Sequence, residues 1–359
     1  MDVDPPCYNR HVAGGLYDEV VKQLMALPKG VSLGDATYKN DFVRDMKVHT
    51  GNFGYRCKEN GAEYETVLVG EVMPRAYGTK LNAMGNHYVG TADTPNVIDD
   101  RARVKGVFAL GKPTQATEMM YVAFENQIAT LDDVIQSNIK ELKRKNKDMN
   151  IKEWTANAGT ETSSAPEFIM ISTEQLYAVP KSTQQAMQGK RARITKRALN
   201  SGGDSADGKA TGSSSSTDAG LKDNAKEDSI TTNDFYEPTA LPDYGGELFQ
   251  HVNAKLQQLD IRNVENKLIP PQNWYGELKR GTLVMIRATL HAFNWKERRV
   301  YQLNAHTIRI LDESKLEMEP LGTQPSRGDL GVSQSVSRAS NAMAGVQLGK
   351  RVREEDSEE

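Results

Sequence analysis

Residues Leu278 to Leu311 read LKRGTLVMIRATLHAFNWKERRVYQLNAHTIRIL, and this stretch predicts two long β-strands joined by a short loop. Along the first strand, apolar residues alternate with larger polar and aromatic ones. Because successive side chains of a strand point to opposite faces, one face is built for a core. That face carries Val284, Ile286, Ala288, Leu290 and Ala292. The opposite face carries Arg287, Thr289, His291, Phe293 and Trp295.

The second strand repeats this alternation after a basic loop at 295–299. Its apolar positions are Tyr301, Leu303 and Ala305, and its polar positions are Gln302, Asn304 and His306. The apolar positions are odd-numbered up to Ala305 and even-numbered from Ile308 and Ile310 onward. A change of parity within a strand is typical of a β-bulge, which we expect near His306 and Thr307.

The face that carries Arg287, His291, Phe293 and Trp295 has two interpretations. It is either the solvated side of a half-buried hairpin, since isolated exposed aromatics are common, or a platform on which unpaired bases stack. Each base stacked on an aromatic side chain contributes about 1–3 kcal/mol, and neighbouring cations attract the phosphates.

Three segments of this stretch carry a resemblance to a known family: 278–284, Tyr301 to Ala305, and Ile308 to Leu311. They resemble the final two strands of OB-folds in single-stranded-DNA-binding proteins of the replication protein A type. The resemblance covers about a tenth of the 359 residues. It implies an OB-like barrel and a single-stranded nucleic acid as partner, most naturally DNA. The residues expected to contact it are Lys279, Arg280, Arg287, His291, Phe293, Trp295, Lys296, Arg298, Arg299, Gln302, Asn304 and His306.

Composition limits the class of protein. A chain of 359 residues is long enough for two domains, or for one large domain with tails. The net charge of −3 gives no global attraction to nucleic acid. The cysteines, Cys7 and Cys57, form neither a disulfide framework nor a paired metal motif, which favours a reducing compartment. The sequence shows no membrane-length apolar run and no signal peptide at its start, so we expect a soluble intracellular protein.

Strand signals dominate the first half of the chain and helix signals interrupt it. Strands are predicted at 64–73, with a bulge at Gly70, and at 86–90, 103–110, 119–124 and 168–179. Helices are predicted at 16–27, 131–146 and 246–259 from apolar residues at helical spacing. The end of the second helix is strongly basic, which is either favourable charge at a helix C-terminus or a set of phosphate contacts.

The fold class is therefore mainly β with a few helices (α+β), an OB-like β-barrel with a disordered linker and a disordered C-terminal tail. Five regions follow: an extension with a short helix (1–40), a β-rich region (41–180), a basic cluster and linker (181–232), a helix plus the long hairpin (233–320), and a tail (321–359). The sequence allows two layouts. The linker is an insertion in one barrel, with the 246–259 helix before its last hairpin, or it separates two domains.

The linker opens with five cations in eight residues: Lys190, Arg191, Arg193, Lys196 and Arg197. This cluster resembles a nuclear localisation signal, which implies a nuclear protein with an import receptor as a further partner. The alternative is a basic segment that adds affinity for nucleic acid, and the two roles are compatible. Residues 200–229 and 325–359 have too few large apolar residues to form a core, so we predict that they are disordered. The acidic tip at 354–359 is either a solvating tail or a segment that recruits partners.

Signals of catalysis and of cofactor binding are weak. Residues 106–112 have the spacing of a phosphate-binding loop, but Pro113 stands where Ser or Thr would ligate magnesium, and the segment is predicted to be a strand. His291 and His306 could face each other across the hairpin, which we interpret as structural because no third ligand is apparent. We predict no catalytic residues, no metal, no cofactor, no membrane partner and no enzymatic activity. The main hypothesis is a nuclear single-stranded nucleic-acid-binding protein, and the alternative is an adaptor with a β-rich protein-interaction domain.

Overall fold

A computed structural model describes residues 8–45, 52–91, 94–157, 166–181 and 230–321. This part of the chain is mostly β-sheet and contains three α-helices. The helices are α1 (Leu16–Met25), α2 (Glu118–Arg144) and α3 (Trp274–Glu277). The strands are β1 (Phe42–Arg44), β2 (Phe53–Cys57), β3 (Glu65–Val72), β4 (Lys105–Gly111), β5 (Asn150–Lys152), β6 (Thr155–Ala156), β7 (Phe168–Gln175), β8 (Tyr177–Ala178), β9 (Phe235–Tyr236), β10 (Lys255–Gln257), β11 (Ile261–Arg262), β12 (Leu283–Trp295) and β13 (Arg298–Asp312).

Five strands pair in a closed circle. β12 pairs with β3, β3 with β4, β4 with β7, β7 with β13, and β13 returns to β12. All of these pairings are antiparallel except β7 with β13, which is parallel. Strands from before and after residues 182–229 therefore belong to one sheet.

The predicted hairpin is confirmed, including its faces and its bulge, but its loop is shorter than the predicted 295–299, because Trp295, Arg298 and Arg299 belong to the paired strands. Val284, Ile286, Ala288, Leu290 and Ala292 are all buried. Arg287 pairs with Thr307 and Ala288 with Ala305, so His306 is the extra residue on β13. A turn of two residues joins the strands, and Lys296 adopts a left-handed conformation there (φ 56°).

The core fills the space between this ring and α2. Phe108, Leu110, Ile169 and Ile171 of the sheet are buried together with Phe124, Leu131, Val134 and Ile135 of α2. Each such side chain contributes about 1.5–3 kcal/mol when fully removed from water. The amide of Gln127 fixes α2 to the sheet, because it accepts from the Val69 N–H (2.8 Å) and donates to the Val69 carbonyl (3.0 Å). α1 covers a smaller cluster with Tyr17 and Val20.

The strands predicted at 64–73, 103–110 and 168–179 are confirmed as β3, β4 and β7, and the helix predicted at 16–27 is confirmed as α1. The predicted strand at 119–124 is wrong. These residues form the first turns of α2, which begins at Glu118 rather than at 131. Thr117 caps the helix by accepting from the Met120 N–H (3.4 Å). Met120, Phe124 and Ile128 are buried at helical spacing, and this packing outweighs the local strand preference of Tyr121 and Val122.

The predicted helix at 246–259 is also wrong, and in the described segment 230–282 the α-helix before the hairpin is the four-residue α3. The segment is a loop that ends in β10. Asp100, about 150 residues earlier, accepts the backbone N–H groups of Val252, Asn253 and Ala254 at 2.9–3.0 Å. Those donors are thereby satisfied outside a helix, and the apolar spacing reflects separate contacts of Phe249, Leu256 and Leu259 with the core.

Two smaller predictions also fail. Residues 86–90 do not form a strand: Asn86 ends a turn, 87–89 are irregular, and Gly90 makes an isolated bridge to Pro95. Gly70 pairs regularly with Val284, so it marks no bulge. A Cβ at Gly70 would lie 2.6 Å from Leu110 Cγ, which explains the glycine as a point of close approach between strands.

A second sheet of three strands, in the order β8-β10-β9, lies beside the ring. β8 precedes residues 182–229 and β9 follows them, and both pair with β10. None of the described helices is both long and apolar enough to cross a lipid bilayer.

Candidate nucleic-acid interface

The outward face of the hairpin presents two exposed aromatic rings near its tip. Phe293 is 37% exposed and Trp295 is 70% exposed. Across the pair of strands, Val300 lies beside Phe293 and Arg298 beside Trp295. Leu290 and Ala292 of the same strand are buried in the core, so the strand that carries the two rings is held in place by packing.

Two cations frame the exposed tryptophan. The Lys296 Nζ lies 5.7 Å from the centre of the Trp295 ring, within the range of a cation–π contact. Arg298 is exposed and pairs in register with Trp295. Within the described part of the chain, neither cation has an ion-pair partner. Lys152 on β5 is also exposed and lies beside Val300.

The middle of the face is a hydrogen-bonded cluster around Thr289. The Thr289 hydroxyl is 3.0 Å from His291 Nε2 and 2.9 Å from His306 Nε2. His306 Nδ1 lies 3.0 Å from a carboxylate oxygen of Glu174, and His291 Nε2 lies 3.5 Å from one of Glu63. The predicted encounter of the two histidines across the hairpin is confirmed. The bulge at His306 is what turns its ring towards Thr289.

Burial lowers the pKa of His291 below its usual value, and the neighbouring Lys105 and His306 add to this effect while Glu63 opposes it. Lys105 reaches the same face from β4, where its Nζ donates to Asn304 Oδ1 (2.9 Å). Burial lowers the pKa of Lys105 as well, against the influence of Glu174. His291 also stacks on Phe293, with ring centres 6.0 Å apart. The cluster therefore positions the first exposed ring of the face.

Three carboxylates of this face come from outside the hairpin, within which Glu297 is the sole acid between Arg280 and Asp312, and the sequence interpretation missed them. Glu63 and Glu65 come from the β2–β3 region and Glu174 from β7. Glu65 forms an ion pair with Arg287 at 3.0 Å. The hairpin sequence cannot predict these carboxylates, because they lie elsewhere in the chain and approach the hairpin only in the folded sheet. The end of the face at Arg287 is consequently near neutral, and the uncompensated cations lie at the tip.

Arg299 was predicted to contact phosphates, and this prediction is wrong. Its side chain is buried, with Nε donating to Asn294 Oδ1 (2.7 Å) and the guanidinium 5.2 Å from the centre of the Phe53 ring. Arg299 lowers the pKa of the neighbouring Tyr301, although burial raises it more. The residue follows the inward alternation of β13, so its charge is enclosed by the fold.

Lys279 and Arg280 are also separated from the exposed rings. They precede β12, and the thirteen residues of that strand span about 40 Å. Together with Tyr275 and Met318 they line a small surface cavity at the far end of the hairpin. Of the twelve predicted contact residues, the structure brings nine onto one face: Arg287, His291, Phe293, Trp295, Lys296, Arg298, Gln302, Asn304 and His306.

The described residues contain no group of three or more His, Cys, Asp or Glu side chains arranged to hold a metal ion. Residues 106–112 have the spacing of a phosphate loop, and all of them except Lys112 belong to strand β4, so the prediction of a strand here is confirmed. The cluster at Lys190–Arg197 and the segments predicted to be disordered, 200–229 and 325–359, lie outside the described residues.

The comparisons with known proteins assign no family to this chain. No protein-family model matches the sequence. No curated protein matches it either. Among solved structures, the chain is similar to gp2.5, a single-stranded DNA binding protein encoded by bacteriophage T7, with a TM-score of 0.30 and 8% identity. That match covers 81% of this chain and all of the phage protein. A similarity at this level does not indicate the function of this chain.

Proposed function

We propose that this protein binds single-stranded nucleic acid, DNA in the first instance, on the outward face of the β12–β13 hairpin. One observation supports the proposal above all. Two exposed rings, Phe293 and Trp295, stand in a row on a rigid strand beside uncompensated cations, Lys296 and Arg298. Unpaired bases stack on aromatic rings and phosphates seek cations, so this combination fits a single strand better than an apolar partner.

The proposed scaffold is an OB-like barrel. An OB-fold is a five-stranded barrel that binds oligonucleotides partly through the loop of its last hairpin, and the closed circle of five strands that ends in β12 and β13 supports this scaffold. The helix of this barrel lies between its second and third strands, as α2, rather than just before the hairpin. The proposal treats residues 182–229 as an insertion, since the strands on either side of them share the sheet.

Tryptophan fluorescence tests the proposal directly. The chain has three tryptophans, and Trp154 and Trp274 are 0% and 3% exposed while Trp295 is 70% exposed. A base that stacks on Trp295 should quench its emission. We expect saturable quenching by an oligo(dT) at low salt and much weaker quenching by a duplex of equal length. In Trp295→Phe the response should disappear while the protein stays folded. Absence of quenching in the parent protein would refute the proposed site.

A second candidate function, a protein adaptor, is favoured by a separate surface. A groove of about 310 Å³ runs between α1 and α2, lined by Met25, Met119 and Val122 among others. These three side chains are 73%, 53% and 45% exposed. Clustered exposed apolar residues mark docking surfaces. Met25→Ser with Met119→Ser would abolish the adaptor function, and it should leave oligonucleotide binding unchanged if the hairpin is the nucleic-acid site.

The proposal includes a nuclear, non-enzymatic role. Its support is the five-cation cluster at Lys190–Arg197, which suits an import receptor. Replacing all five cations with Ala should shift the protein from the nucleus to the cytoplasm. An unchanged cellular distribution would remove the nuclear part of the proposal and leave the binding site untouched.

A further inference from the structure

Helix α2 runs along the hairpin from its base to its tip. Near the start of the helix, Met120 is buried in one cluster with Leu283, the first residue of β12. Near its end, Asn138 Nδ2 donates to the Tyr55 hydroxyl of β2 (3.1 Å), and β2 pairs with the last part of β12. The 27 residues of α2 span about 40 Å, which matches the length of β12. The C-terminal end of α2 therefore lies at the same end of the molecule as Trp295.

Strand β5 connects the end of α2 with the outward face of the hairpin. The Asn150 N–H donates to the Glu297 carbonyl in the hairpin turn (2.8 Å), and Asn150 pairs in register with Arg298. Lys152 pairs with Val300. Because directly paired residues of neighbouring strands point to the same side of a sheet, both β5 side chains lie on the outward face. At its tip, this face is therefore one strand wider than the hairpin.

The chain that leads into β5 is strongly basic. Residues 142–152 hold five cations and one acid, Asp148, although the whole chain has a net charge of −3. Lys145 is paired with Glu141 (2.6 Å). Three further cations, called here the α2-end cations, are exposed and have no ion-pair partner among the described residues: Lys143, Arg144 and Lys147. Their positive charge is available to a ligand.

The turn after α2 places these cations beside the tip. The Lys147 N–H donates to the Leu142 carbonyl (3.1 Å) and the Asn146 N–H to the Lys143 carbonyl (3.1 Å), with Asn146 in a left-handed conformation (φ 49°). This is a Schellman motif, which ends the helix and reverses the chain. Lys147 is three residues before Asn150, so their Cα atoms are at most about 11 Å apart. The α2-end cations therefore adjoin the outward face where β5 begins.

Cations at a helix C-terminus also interact favourably with the helix dipole, but that effect is confined to the last turn. Lys147 lies outside α2, which ends at Arg144. We infer that the nucleic-acid site extends from Trp295 across β5 to the α2-end cations, which bind phosphates of the same single strand that stacks on the hairpin. The inference rests on the proposed function, because it enlarges that site.

The size of the effect follows from the number of cations. Each phosphate neutralised on a single strand steepens the dependence of log K on log salt by about 0.7. Two or three further phosphate contacts should therefore add about 1.4–2.1 to the slope. At 0.1 M salt each contact should contribute about five-fold in affinity, which is the same slope taken over the ten-fold interval to 1 M salt.

The test is a titration of the full chain with an oligo(dT) of about sixteen nucleotides, the upper site size of one OB-fold, at several salt concentrations. The test variant combines Lys143→Gln, Arg144→Gln and Lys147→Gln. We expect it to bind at least ten-fold more weakly at 0.1 M salt, with a slope lower by about 1.4–2.1. The quenching of Trp295 at saturation should equal that of the parent, because the stacked base is unaffected.

A matched control removes three exposed cations at the base of the hairpin, by Lys22→Gln, Lys112→Gln and Lys315→Gln. All three lie near Leu283: α1 packs against it, and the strands that end before Lys112 and Lys315 reach the same end of the sheet. The control should bind like the parent, since charges are screened over about 10 Å at 0.1 M salt.

Folding is checked by unfolding curves of every variant. Lys147→Gln alone gives a second reading, because it leaves all residues of α2 in place. It should lower the slope by about 0.7 at an unchanged unfolding midpoint.

The outcomes separate the two claims. Parent-like affinity and slope in the folded test variant overturn the inference and leave the proposed function intact. An equal loss in the control variant also overturns the inference, because the effect is then one of total charge. If the parent itself neither binds the oligonucleotide nor shows quenching, the proposed function fails together with the inference.

Discussion

Arg298 and Arg299 show how neighbouring cations of one sequence acquire different roles. Arg298 is exposed at the tip of the hairpin, whereas Arg299 is enclosed beside Phe53 and Asn294. Arg44 also contacts Phe53, with its guanidinium 3.7 Å from the centre of the Phe53 ring. In the proposed function, Arg298 contacts the nucleic acid, whereas the buried Arg299 stabilises the fold.

We therefore expect Arg299→Ala to lower the free energy of unfolding by about 2 kcal/mol or more, because a buried, charge-assisted hydrogen bond and its packing are lost. Arg298→Ala should change it by no more than about 0.5 kcal/mol, as is usual for exposed positions. Urea unfolding of the two variants measures both values. Equal stabilities would contradict the burial of Arg299.

The residue types of the hairpin face were predictable, but its electrostatics were not. Alternation alone placed Phe293 and Trp295 opposite Leu290 and Ala292, because a strand leaves each side chain only two directions. Glu63, Glu65 and Glu174 come from distant parts of the chain, and only the tertiary fold shows that they neutralise one end of the face.

At the scale of elements, the loop 246–254 is held by one carboxylate. Asp100 accepts three consecutive backbone N–H groups and the side-chain amide of Asn253. These hydrogen bonds lower its pKa to about 2, although partial burial opposes them. A sequence pattern cannot reveal such a contact, which explains why apolar spacing at 246–259 was mistaken for a helix.

Asp100→Asn should destabilise the protein by about 1–2 kcal/mol at neutral pH, because the charged acceptor of these N–H groups is lost. The pKa of Asp100 is lower in the folded state than in the unfolded chain, where it is about 3.9. The stabilisation is therefore present above about pH 4 and is lost as the pH falls towards 2. Unfolding measured across this range should show a smaller loss of stability in Asp100→Asn than in the parent. Asp99→Asn, whose carboxylate accepts from one local N–H, is the matched control.

At the scale of the whole molecule, the sheet joins distant parts of the chain. β8 and β9 both pair with β10, and Tyr177 and Tyr236 flank Leu256, so the strands before and after the 182–229 segment lie about 10 Å apart. Arg10 ties the N-terminal segment to the same body. It lies 3.4 Å from Glu71 and donates to the Gly281 carbonyl at 3.0 Å, and its side chain is 4% exposed.

Replacing residues 184–227 with a flexible linker of about ten residues should therefore leave the unfolding temperature and oligo(dT) affinity nearly unchanged. Such a linker easily spans 10 Å. The same replacement removes the basic cluster and should abolish nuclear accumulation. A large loss of stability would show that this segment contributes to the fold.

We propose that the hairpin binds single strands by stacking and by charge, with the two contributions carried by different side chains. The most direct test compares oligo(dT) affinity across salt concentrations for the parent, for Trp295→Ala, and for Lys296→Ala combined with Arg298→Ala. We expect Trp295→Ala to weaken binding about ten-fold at every salt concentration without changing the slope, since it removes stacking alone. The double variant should reduce the slope by about 1.4, because two fewer phosphates are neutralised. If both variants are folded and bind with the affinity and slope of the parent, the hairpin is not the binding site.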